Sequence, residues 1–506
     1  MAIVVSHKGT NFELLAAQAL RQAALADVIE LRLDTIGNPG VEALRAFIES
    51  AGKPVIVACN RADAYGEFTG TDEELLALLH TAAEAGAGFV DVPWYLSLEL
   101  GEVKGKCHRI VSRHDITAVP TDLPSFLEEV REVLYEGDLI KLVGHAESTE
   151  EALRMLAFVG ETGGGLIGFC AGEQGSFTRV LAPIFGSPFT YAAPAVLDGD
   201  TASEPTAPGQ MRVNDLLALM PPGGLTQETA IFGIVGRPVG HSYSPRVHGM
   251  TLKAARLDAV YVSFEPDSFE DFLKQATLEN FRGFSITAPF KEEAFRAARS
   301  TTSGAREAKA VNTLIRDGQH WKGANTDASA VEETLGVGFR HHASRLDQPL
   351  MLSATQTLIL GTGGAARAVA TAVRSLGGQF LIAGRDPAKA ELLAIEMGGA
   401  FLAWEQIPTS NYDALVNATP LGSLAAPGIS AIPADWIKAN SLVLDAVYRP
   451  IRTPLLVEAH KRGCTAIPGG EWFVRQAAEQ FQLFTRTEPD SELLRAAFET
   501  ALKEDS

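Results

Sequence analysis

The sequence predicts an α/β protein, with an N-terminal (β/α)8 barrel followed by a two-domain α/β unit. Short apolar runs alternate with helical stretches along the chain, which is the pattern of parallel sheets covered by helices. Pro221-Pro222-Gly223-Gly224 then interrupts the pattern, because two prolines and two glycines continue neither a helix nor a strand. A strand at 230–235 begins a second α/β series, so we expect a domain boundary at this seam.

The eight apolar runs before the seam are the predicted barrel strands. They are residues 2–5, 28–33, 54–59, 88–94, 109–112, 139–143, 166–170 and 188–192. Connections such as 72–84 and 125–134 show helical periodicity. An open doubly wound sheet has the same periodicity and is the alternative.

Composition limits the classes of partner and compartment. The 506 residues predict about three domains. A formal net charge of -19 argues against nucleic acid and acidic membranes as partners, while small anionic substrates need only a few local cations. The four cysteines stand singly, which predicts neither a disulfide framework nor a cysteine-rich zinc site. The start lacks a signal-peptide pattern and no apolar run is long enough to span a membrane, so we expect a cytoplasmic protein; its oligomeric state stays open.

Polar residues gather where the predicted barrel strands end, and a barrel carries its chemistry at that edge. They are Glu30, Arg32, Arg61, Asp91, His114, Asp115 and Lys141. Lys141 interrupts an apolar strand, whose surroundings would disfavour an ammonium and so predict a Schiff-base nucleophile, with His114 as proton shuttle. A lysine stem lying along the strand with its amine in solvent is the ordinary alternative.

Five ordered segments in residues 1–220 resemble type I 3-dehydroquinate dehydratases. They are Glu30-Leu31-Arg32-Leu33-Asp34, Ser112-Arg113-His114-Asp115, Lys141, Thr178-Arg179 and Thr206-Ala207-Pro208-Gly209-Gln210. The resemblance implies that Lys141 forms an imine with the substrate ketone, while His114 removes the α-proton and helps water to leave. It implies that Arg179 and Gln210 hold the substrate carboxylate and hydroxyls. Glu30, Arg32 and Thr206 are implied as further contacts, and no metal is implied.

One loop departs from that family. After the third strand these dehydratases carry an arginine, a carboxylate four residues later and then two glycines. Here an ungapped alignment places Asn60, Ala64, Tyr65 and Gly66 at those positions. Arg61 and Asp63 lie one place away, and a one-residue shift at a strand end turns a side chain to the opposite face. Arg61 stays a substrate-binding candidate if the loop rearranges, and we expect a working but weakened dehydratase.

The second half begins with a polar turn at 240–245 that leads into a helix. Ser242 and Ser244 there can hold a carboxylate, or can simply start the helix. Further on, Lys291 and Asp327 follow strands, and together they suit acid–base transfer at a carbonyl oxygen or hydroxyl. A surface salt bridge is the commoner arrangement of such a pair.

Residues 357–369 form a predicted strand, glycine turn and helix, the pattern that binds a dinucleotide pyrophosphate. The following strand ends at Gly384-Arg385-Asp386. An acidic residue there suits the ribose of NAD, whereas arginine suits the 2′-phosphate of NADP. Arg385 and Lys389 favour NADP, with NAD as the alternative.

These segments, with 417–422, 445–450, 453–456 and 469–476, resemble shikimate dehydrogenase from about 230 to 500. The resemblance implies that Lys291 and Asp327 are the catalytic pair. The implied substrate contacts are Ser242, Ser244, Thr287, Asn312, Tyr448 and Gln476. The implied cofactor contacts are Gly361, Gly363, Gly364, Ala365, Arg385, Lys389 and Thr419. Ser285 replaces an asparagine common in stand-alone bacterial enzymes and resembles the fused forms.

We therefore expect a dehydratase barrel at 1–222, a substrate domain at 229–330, a Rossmann domain at 331–468, and C-terminal helices at 469–506 that return to the substrate domain. The expected activities are Schiff-base dehydration of 3-dehydroquinate and NADPH-dependent reduction of the product to shikimate. Three alternatives remain. A quinate-oxidising enzyme is disfavoured by Ser242 and Ser244, a scaffold barrel is motivated by Asn60 and Ala64, and an aldolase-type barrel fits Lys141 but not 206–210.

Overall fold

The computed structural model describes residues 1–103, 105–197, 204–240, 242–347 and 352–504. These residues form two compact units by their contacts, one of residues 1–230 with 256–280 and one of residues 231–255 with 281 onward. His241 of the predicted carboxylate turn lies outside the described residues.

Eight parallel strands form a nearly closed barrel in the first unit. Hydrogen-bonded neighbours follow the chain from the seventh strand back to the first, and the eighth pairs with the first through Ala2 and Phe189. The strands are β1 (Ala2–Lys8), β2 (Val28–Arg32), β3 (Val55–Ala58), β4 (Phe89–Pro93), β5 (His108–Asp115), β6 (Leu139–His145), β7 (Leu166–Ala171) and β8 (Phe189–Ala192). The predicted barrel is confirmed, and the open sheet is wrong because the last strand returns to the first.

Helices connect the barrel strands, and one more follows the last strand. They are α1 (Phe12–Gln22), α2 (Val41–Ala51), α3 (Asp72–Glu84), α4 (Ser97–Leu100), α5 (Leu123–Arg131), α6 (Thr149–Glu161), α7 (Thr178–Leu181) and α8 (Val213–Leu219). Local chemistry sets where they start: Thr71 and Glu74 form a capping box at α3. The helix predicted at 125–134 starts earlier, because Asp122 caps α5 through the Ser125 amide.

The remaining chain adds twelve strands and ten helices among the described residues. The strands are β9 (Ala230–Val235), β10 (Ala259–Phe264), β11 (Phe281–Ile286), β12 (Ser300–Thr301), β13 (Thr313–Asp317), β14 (His320–Ala324), β15 (Gln356–Leu360), β16 (Gln379–Ala383), β17 (Ala400–Phe401), β18 (Ala414–Asn417), β19 (Leu442–Asp445) and β20 (Thr465–Ile467). The helices are α9 (Ser244–Ala254), α10 (Phe269–Gln275), α11 (Lys291–Ala297), α12 (Ser303–Ala308), α13 (Thr326–Leu346), α14 (Gly364–Ser375), α15 (Pro387–Met397), α16 (Pro454–Lys461), α17 (Gly469–Thr485) and α18 (Ser491–Glu504).

Two sheets organise the second unit. In one sheet, the strands of the second unit run in the order β9-β11-β13-β14-β12. Strands β9 and β11 are parallel, whereas β11 is antiparallel to β13 and β13 is antiparallel to β14. The other sheet is fully parallel in the order β17-β16-β15-β18-β19-β20, which is a Rossmann arrangement. The core beside it contains apolar residues of α13 and α14, such as Phe339 and Val369.

Within the ranges that the structure describes, no helix is both long and apolar enough to span a membrane.

Candidate active sites

Lys141 lies in the barrel interior against Asp91, with Nζ of Lys141 contacting a carboxylate oxygen of Asp91. Both side chains are almost fully buried. The alternative that places the Lys141 amine in solvent is wrong, because the side chain is buried and a buried carboxylate faces its amine. Burial opposes ionisation of Asp91, but the Lys141 ammonium, together with smaller effects of Ser112 and His114, holds the pKa of Asp91 below its usual value.

Glu30 is the second carboxylate of this cluster and contacts the hydroxyl of Ser6. Burial raises the pKa of Glu30, while the positive charges of Lys141 and Arg32 act in the opposite direction. Arg32 itself is held by Asp34, with 3.1 Å between its Nε and Oδ1 of Asp34. The site therefore contains the carboxylates of Asp91 and Glu30, and the cations of Lys141 and Arg32 lie close to them.

His114 lines the same cavity as Lys141. Burial, with a further effect from the Lys141 charge, lowers the pKa of His114 to about 3. The imidazole is therefore neutral near pH 7 and can accept a proton.

Arg179, Thr206 and Gln210 also line this cavity. Arg179 is 2% exposed, and its Nε and one terminal nitrogen lack hydrogen-bond partners among the described residues. Two unpartnered donors of a buried guanidinium fit a carboxylate ligand. Thr206 donates its backbone N–H to Oε1 of Gln210 over 2.8 Å, so the two predicted contacts belong to one hydrogen-bonded turn.

The loop after β3 contains the departure from the family pattern. Arg61 does not line the cavity; its guanidinium lies 2.7 Å from Asp72. Ala64 and Tyr65 do line it. Tyr65 has a left-handed backbone with φ of 56°, which is uncommon for a residue with a side chain, and its carbonyl accepts a bond from Arg32. Its hydroxyl lies 2.9 Å from Nδ1 of His145.

Lys291 and Asp327 meet in the second unit, with 2.6 Å between Nζ and Oδ2. Lys291 opens α11, and Asp327 lies in the first turn of α13. Asn325 caps α13 by accepting from the Ala328 amide, which fixes the helix start beside the lysine. The resemblance implied that these two residues form a pair, and the structure brings them together.

Asn312 is buried next to this pair. Its Nδ2 donates to Oγ1 of Thr326 over 2.9 Å, and its Oδ1 accepts from the Thr326 N–H over 2.8 Å. Asn312 therefore positions the residue that precedes Asp327. Thr287 is half-buried at the end of β11, where its backbone N–H donates to Val235.

Ser242, Ser244 and Tyr448 lie at the start of α9. The Ser244 N–H donates to Oγ of Ser242 over 3.2 Å. Burial raises the pKa of Tyr448, and a hydrogen bond with Ser242 partly offsets this rise. These three predicted contacts therefore form one polar group at the N-terminus of a helix.

Helix α17 carries two glutamines with different surroundings. Gln476 is half-buried, whereas Gln480 is 2% exposed. Oε1 of Gln480 accepts from Ser285 over 2.8 Å, and its Nε2 donates to the Asn312 carbonyl over 3.0 Å. The sequence analysis missed Gln480; its position one helical turn after Gln476 was the available signal.

The glycine turn fits a dinucleotide. Gly361 has φ of 119°, and a β-carbon there would lie 3.0 Å from the Ala418 carbonyl oxygen, so the turn requires glycine. Gly363 precedes α14, which starts at Gly364, so backbone N–H groups face the phosphate position. Nothing lies within 4 Å of the β-carbon position of Gly363, which leaves room for a pyrophosphate; Ala365 follows in the first turn.

The residues after β16 favour a 2′-phosphate. Asp386 caps α15 by accepting from the Lys389 N–H over 3.2 Å, so its carboxylate is engaged in the helix start. Arg385 and Lys389 are exposed and leave two cations at the adenosine end. Thr419 lies past β18, with its N–H and hydroxyl both donating to Oδ1 of Asn417.

Among the described residues, no group of three or more histidine, cysteine or acidic side chains is arranged to hold a metal ion.

Comparison with known proteins gave matches over both halves. The family model described as type I 3-dehydroquinase matches residues 3–221, and that of the shikimate dehydrogenase substrate binding domain matches residues 234–314. A bifunctional 3-dehydroquinate dehydratase/shikimate dehydrogenase, chloroplastic, of Arabidopsis thaliana is 31% identical over 92% of this chain and 79% of its own length. A shikimate dehydrogenase (NADP(+)) of Halobacterium salinarum is 37% identical over 54% of this chain and 99% of its own length.

Among solved structures, a shikimate 5-dehydrogenase of Thermus thermophilus, in complex with NADP(H) and shikimate, is 32% identical. It covers 54% of this chain and 100% of its own chain, with a TM-score of 0.46.

Proposed function

The chain belongs to the bifunctional 3-dehydroquinate dehydratase/shikimate dehydrogenase family, and we propose which of its residues carry the two reactions. Its first half is a type I 3-dehydroquinase, and its second half is an NADP-dependent shikimate dehydrogenase. The substrates are small molecules of one pathway, and the product of the dehydratase is the substrate of the dehydrogenase. The match over the barrel favours an enzyme there over the scaffold alternative.

In the dehydratase, Lys141 attacks the ketone of 3-dehydroquinate with its neutral amine. The carbonyl oxygen leaves as water and a C=N bond forms. Asp91 contacts this amine and holds it in the cavity.

His114 then removes the proton α to the imine. A neutral imidazole is required for this step, and burial supplies it by lowering the pKa of His114. The resulting imidazolium returns its proton to the departing hydroxyl, which leaves as a second water. Hydrolysis of the imine then restores the Lys141 amine and releases 3-dehydroshikimate.

Arg179 is the proposed carboxylate contact, because its buried guanidinium has two donors without partners among the described residues. Gln210, Thr206, Glu30 and Arg32 are the proposed contacts to substrate hydroxyls. Arg61 stays a weaker candidate, since Asp72 engages its guanidinium.

In the dehydrogenase, Lys291 donates a proton to the carbonyl oxygen of 3-dehydroshikimate as it becomes a hydroxyl. Asp327 holds the lysine in place through their 2.6 Å contact. NADPH, when bound, supplies the hydride. The proposed substrate contacts are Ser242, Ser244, Thr287, Asn312, Tyr448 and Gln476.

The glycine turn of Gly361, Gly363 and Gly364, with Ala365, would hold the pyrophosphate of NADP. Arg385 and Lys389 would hold its 2′-phosphate, because Asp386 is engaged as a helix cap. Thr419 would lie beside the cofactor from the neighbouring strand.

We also propose the domain boundaries 1–222, 229–330, 331–468 and 469–506. The proposed compartment is the cytoplasm, supported by four cysteines that are all free thiols.

The placement of Lys141 and His114 in one barrel cavity carries the residue assignment. Lys141→Met should abolish formation of the ultraviolet-absorbing enone from 3-dehydroquinate and leave reduction of 3-dehydroshikimate by NADPH intact. Lys291→Met should have the opposite effect. Borohydride should trap 3-dehydroquinate on wild-type Lys141 and not on the methionine variant; enone formation by Lys141→Met at the wild-type rate would contradict the imine.

A further inference from the structure

Tyr191 lies in β8 with its ring in the dehydratase cavity, beside Lys141, His114 and Arg179. It is 4% exposed, and its hydroxyl has no hydrogen-bond partner among the described residues. A buried polar atom without a partner is rare in a folded protein and calls for an explanation.

The ring of Tyr191 faces the reactive amine. Nζ of Lys141 lies 5.1 Å from the ring centroid, within the range of a cation–π interaction. The neighbouring ring of Phe169 lies 5.4 Å away, centroid to centroid, and faces the guanidinium of Arg179 at 4.4 Å. Two aromatic faces thus line the cavity, one towards each cation.

Imine formation changes how Lys141 can be stabilised. Its ammonium has three N–H donors, which suit the Asp91 carboxylate and the nearby Glu30. When the amine attacks the ketone and the oxygen leaves as water, the protonated imine keeps the positive charge but has only one N–H donor. The carboxylates lose hydrogen bonds at this step, whereas the attraction of an aromatic face requires no N–H group.

The hydroxyl of Tyr191 calls for a donor or acceptor that arrives with the substrate. Both 3-dehydroquinate and its product carry several hydroxyl groups, and a substrate hydroxyl would satisfy the buried phenol. A hydrogen bond that forms only when the substrate binds makes the site more specific, because a substrate analogue without that hydroxyl leaves the phenol unpaired.

We propose that Tyr191 is a catalytic residue of the dehydratase, whose ring stabilises the cationic imine on Lys141 and whose hydroxyl binds a substrate hydroxyl. This proposal rests on the proposed imine function of Lys141. The two parts of the side chain have separate effects, since the ring acts on an intermediate and the hydroxyl acts on the bound substrate.

Tyr191→Phe keeps the ring and removes the hydroxyl. We expect KM for 3-dehydroquinate to rise roughly three- to tenfold with little change in kcat, as for one hydrogen bond. Tyr95→Phe is the matched control, because Tyr95 is 43% exposed and does not line the cavity. A Tyr191→Phe enzyme with wild-type KM would overturn the role of the hydroxyl.

Tyr191→Leu removes the ring as well. Relative to Tyr191→Phe, we expect kcat to fall roughly ten- to thirtyfold and the single-turnover rate of borohydride-trapped adduct to fall with it. Fluorinated phenylalanines at position 191 keep the shape, so they test the ring even if the leucine variant unfolds. A stepwise fall in kcat with each added fluorine supports the ring, and an unchanged kcat overturns it.

Wild-type protein separates this proposal from the function on which it rests. If wild-type protein forms no borohydride adduct with 3-dehydroquinate, the imine assignment itself fails. If it forms the adduct and the variants behave like wild type, only the role of Tyr191 fails. Dehydrogenase activity of the second half serves as the measure of enzyme concentration throughout.

Discussion

Asp91 contacts the Nζ of Lys141 inside the barrel, and both side chains are almost fully buried. Removing one partner of a buried ion pair leaves the other charge without compensation. Asp91→Leu should therefore lower the free energy of unfolding of the barrel by about 3–5 kcal/mol, measured by urea at pH 7. The double variant Asp91→Leu with Lys141→Met should recover much of that loss; a double variant as unstable as the single one would show that the pair is not the cause.

The β3 loop lacks the family's carboxylate, and Ala64 lines the cavity at that position. Ala64→Glu should raise the dehydration rate severalfold, because a carboxylate near His114 stabilises the imidazolium formed during proton abstraction. Asp63→Ala is the control, since Asp63 does not line the cavity. A rate equal to or below wild type would contradict the expectation that this loop weakens the dehydratase.

His7 gives the barrel a predicted acid sensitivity. It is 1% exposed, its ring nitrogens have no partners among the described residues, and burial lowers its pKa to about 4. Between this value and the usual value near 6.5, the unfolded chain binds the proton and the folded chain does not. The stability that the neutral His7 ring contributes to the fold is therefore fully present above about pH 6.5, and it is lost as the pH falls towards 4.

His7→Leu should remove this pH dependence. Between pH 7 and pH 4.5, the free energy of unfolding of the wild type, measured in urea, should therefore fall by about 2–3 kcal/mol more than that of the variant. His80→Leu on the exposed face of α3 is the control, because this histidine is not buried in the barrel core. Equal pH dependence in wild type and His7→Leu would rule out the buried histidine as a source.

Cofactor choice should depend on Arg385. Arg385→Ser removes the cation proposed for the 2′-phosphate, so KM for NADPH should rise roughly ten- to hundredfold while KM for NADH changes little. Steady-state reduction of 3-dehydroshikimate with each cofactor measures the effect. Asp386→Ala tests the helix cap and should lower stability by about 1 kcal/mol without this switch; equal effects of Arg385→Ser on both cofactors would contradict the assignment.

Substitutions of the two glutamines of α17 should have different effects, one on stability and the other on substrate binding. Gln480→Leu breaks bonds to Ser285 and the Asn312 carbonyl, so it should lower the free energy of unfolding by about 1–3 kcal/mol. Gln476→Leu should raise KM for shikimate and leave stability nearly unchanged. If substitution at position 480 raised KM and substitution at position 476 lowered stability, the assignment of the two glutamines would be contradicted.

The sequence alone identified the architecture and the chemistry that depends on strand ends. Alternation of strands and helices predicted the barrel, and strand ends of a parallel barrel share one edge, so Lys141 and His114 were expected together. The Lys291 and Asp327 pair was implied by the resemblance to shikimate dehydrogenase and not by a shared edge of parallel strands.

Features that depend on side-chain direction were beyond the sequence. Asp91 was one of several polar strand ends, and nothing in the pattern indicated its contact with Lys141. Tyr65 adopts a left-handed backbone that its residue type disfavours. Gln476 and Gln480 stand one helical turn apart on α17, and only packing distinguishes the half-buried residue from the buried one.

The close approach of Gly364 to Lys291 links two parts of the dehydrogenase. A β-carbon at position 364 would lie 2.8 Å from Cδ of Lys291, whose amine is already committed to Asp327. Even an alanine there would require the lysine stem to shift. The shape of the nucleotide loop is thus coupled to the position of the proton donor, so a change of residue in the loop should alter proton transfer as well as cofactor binding.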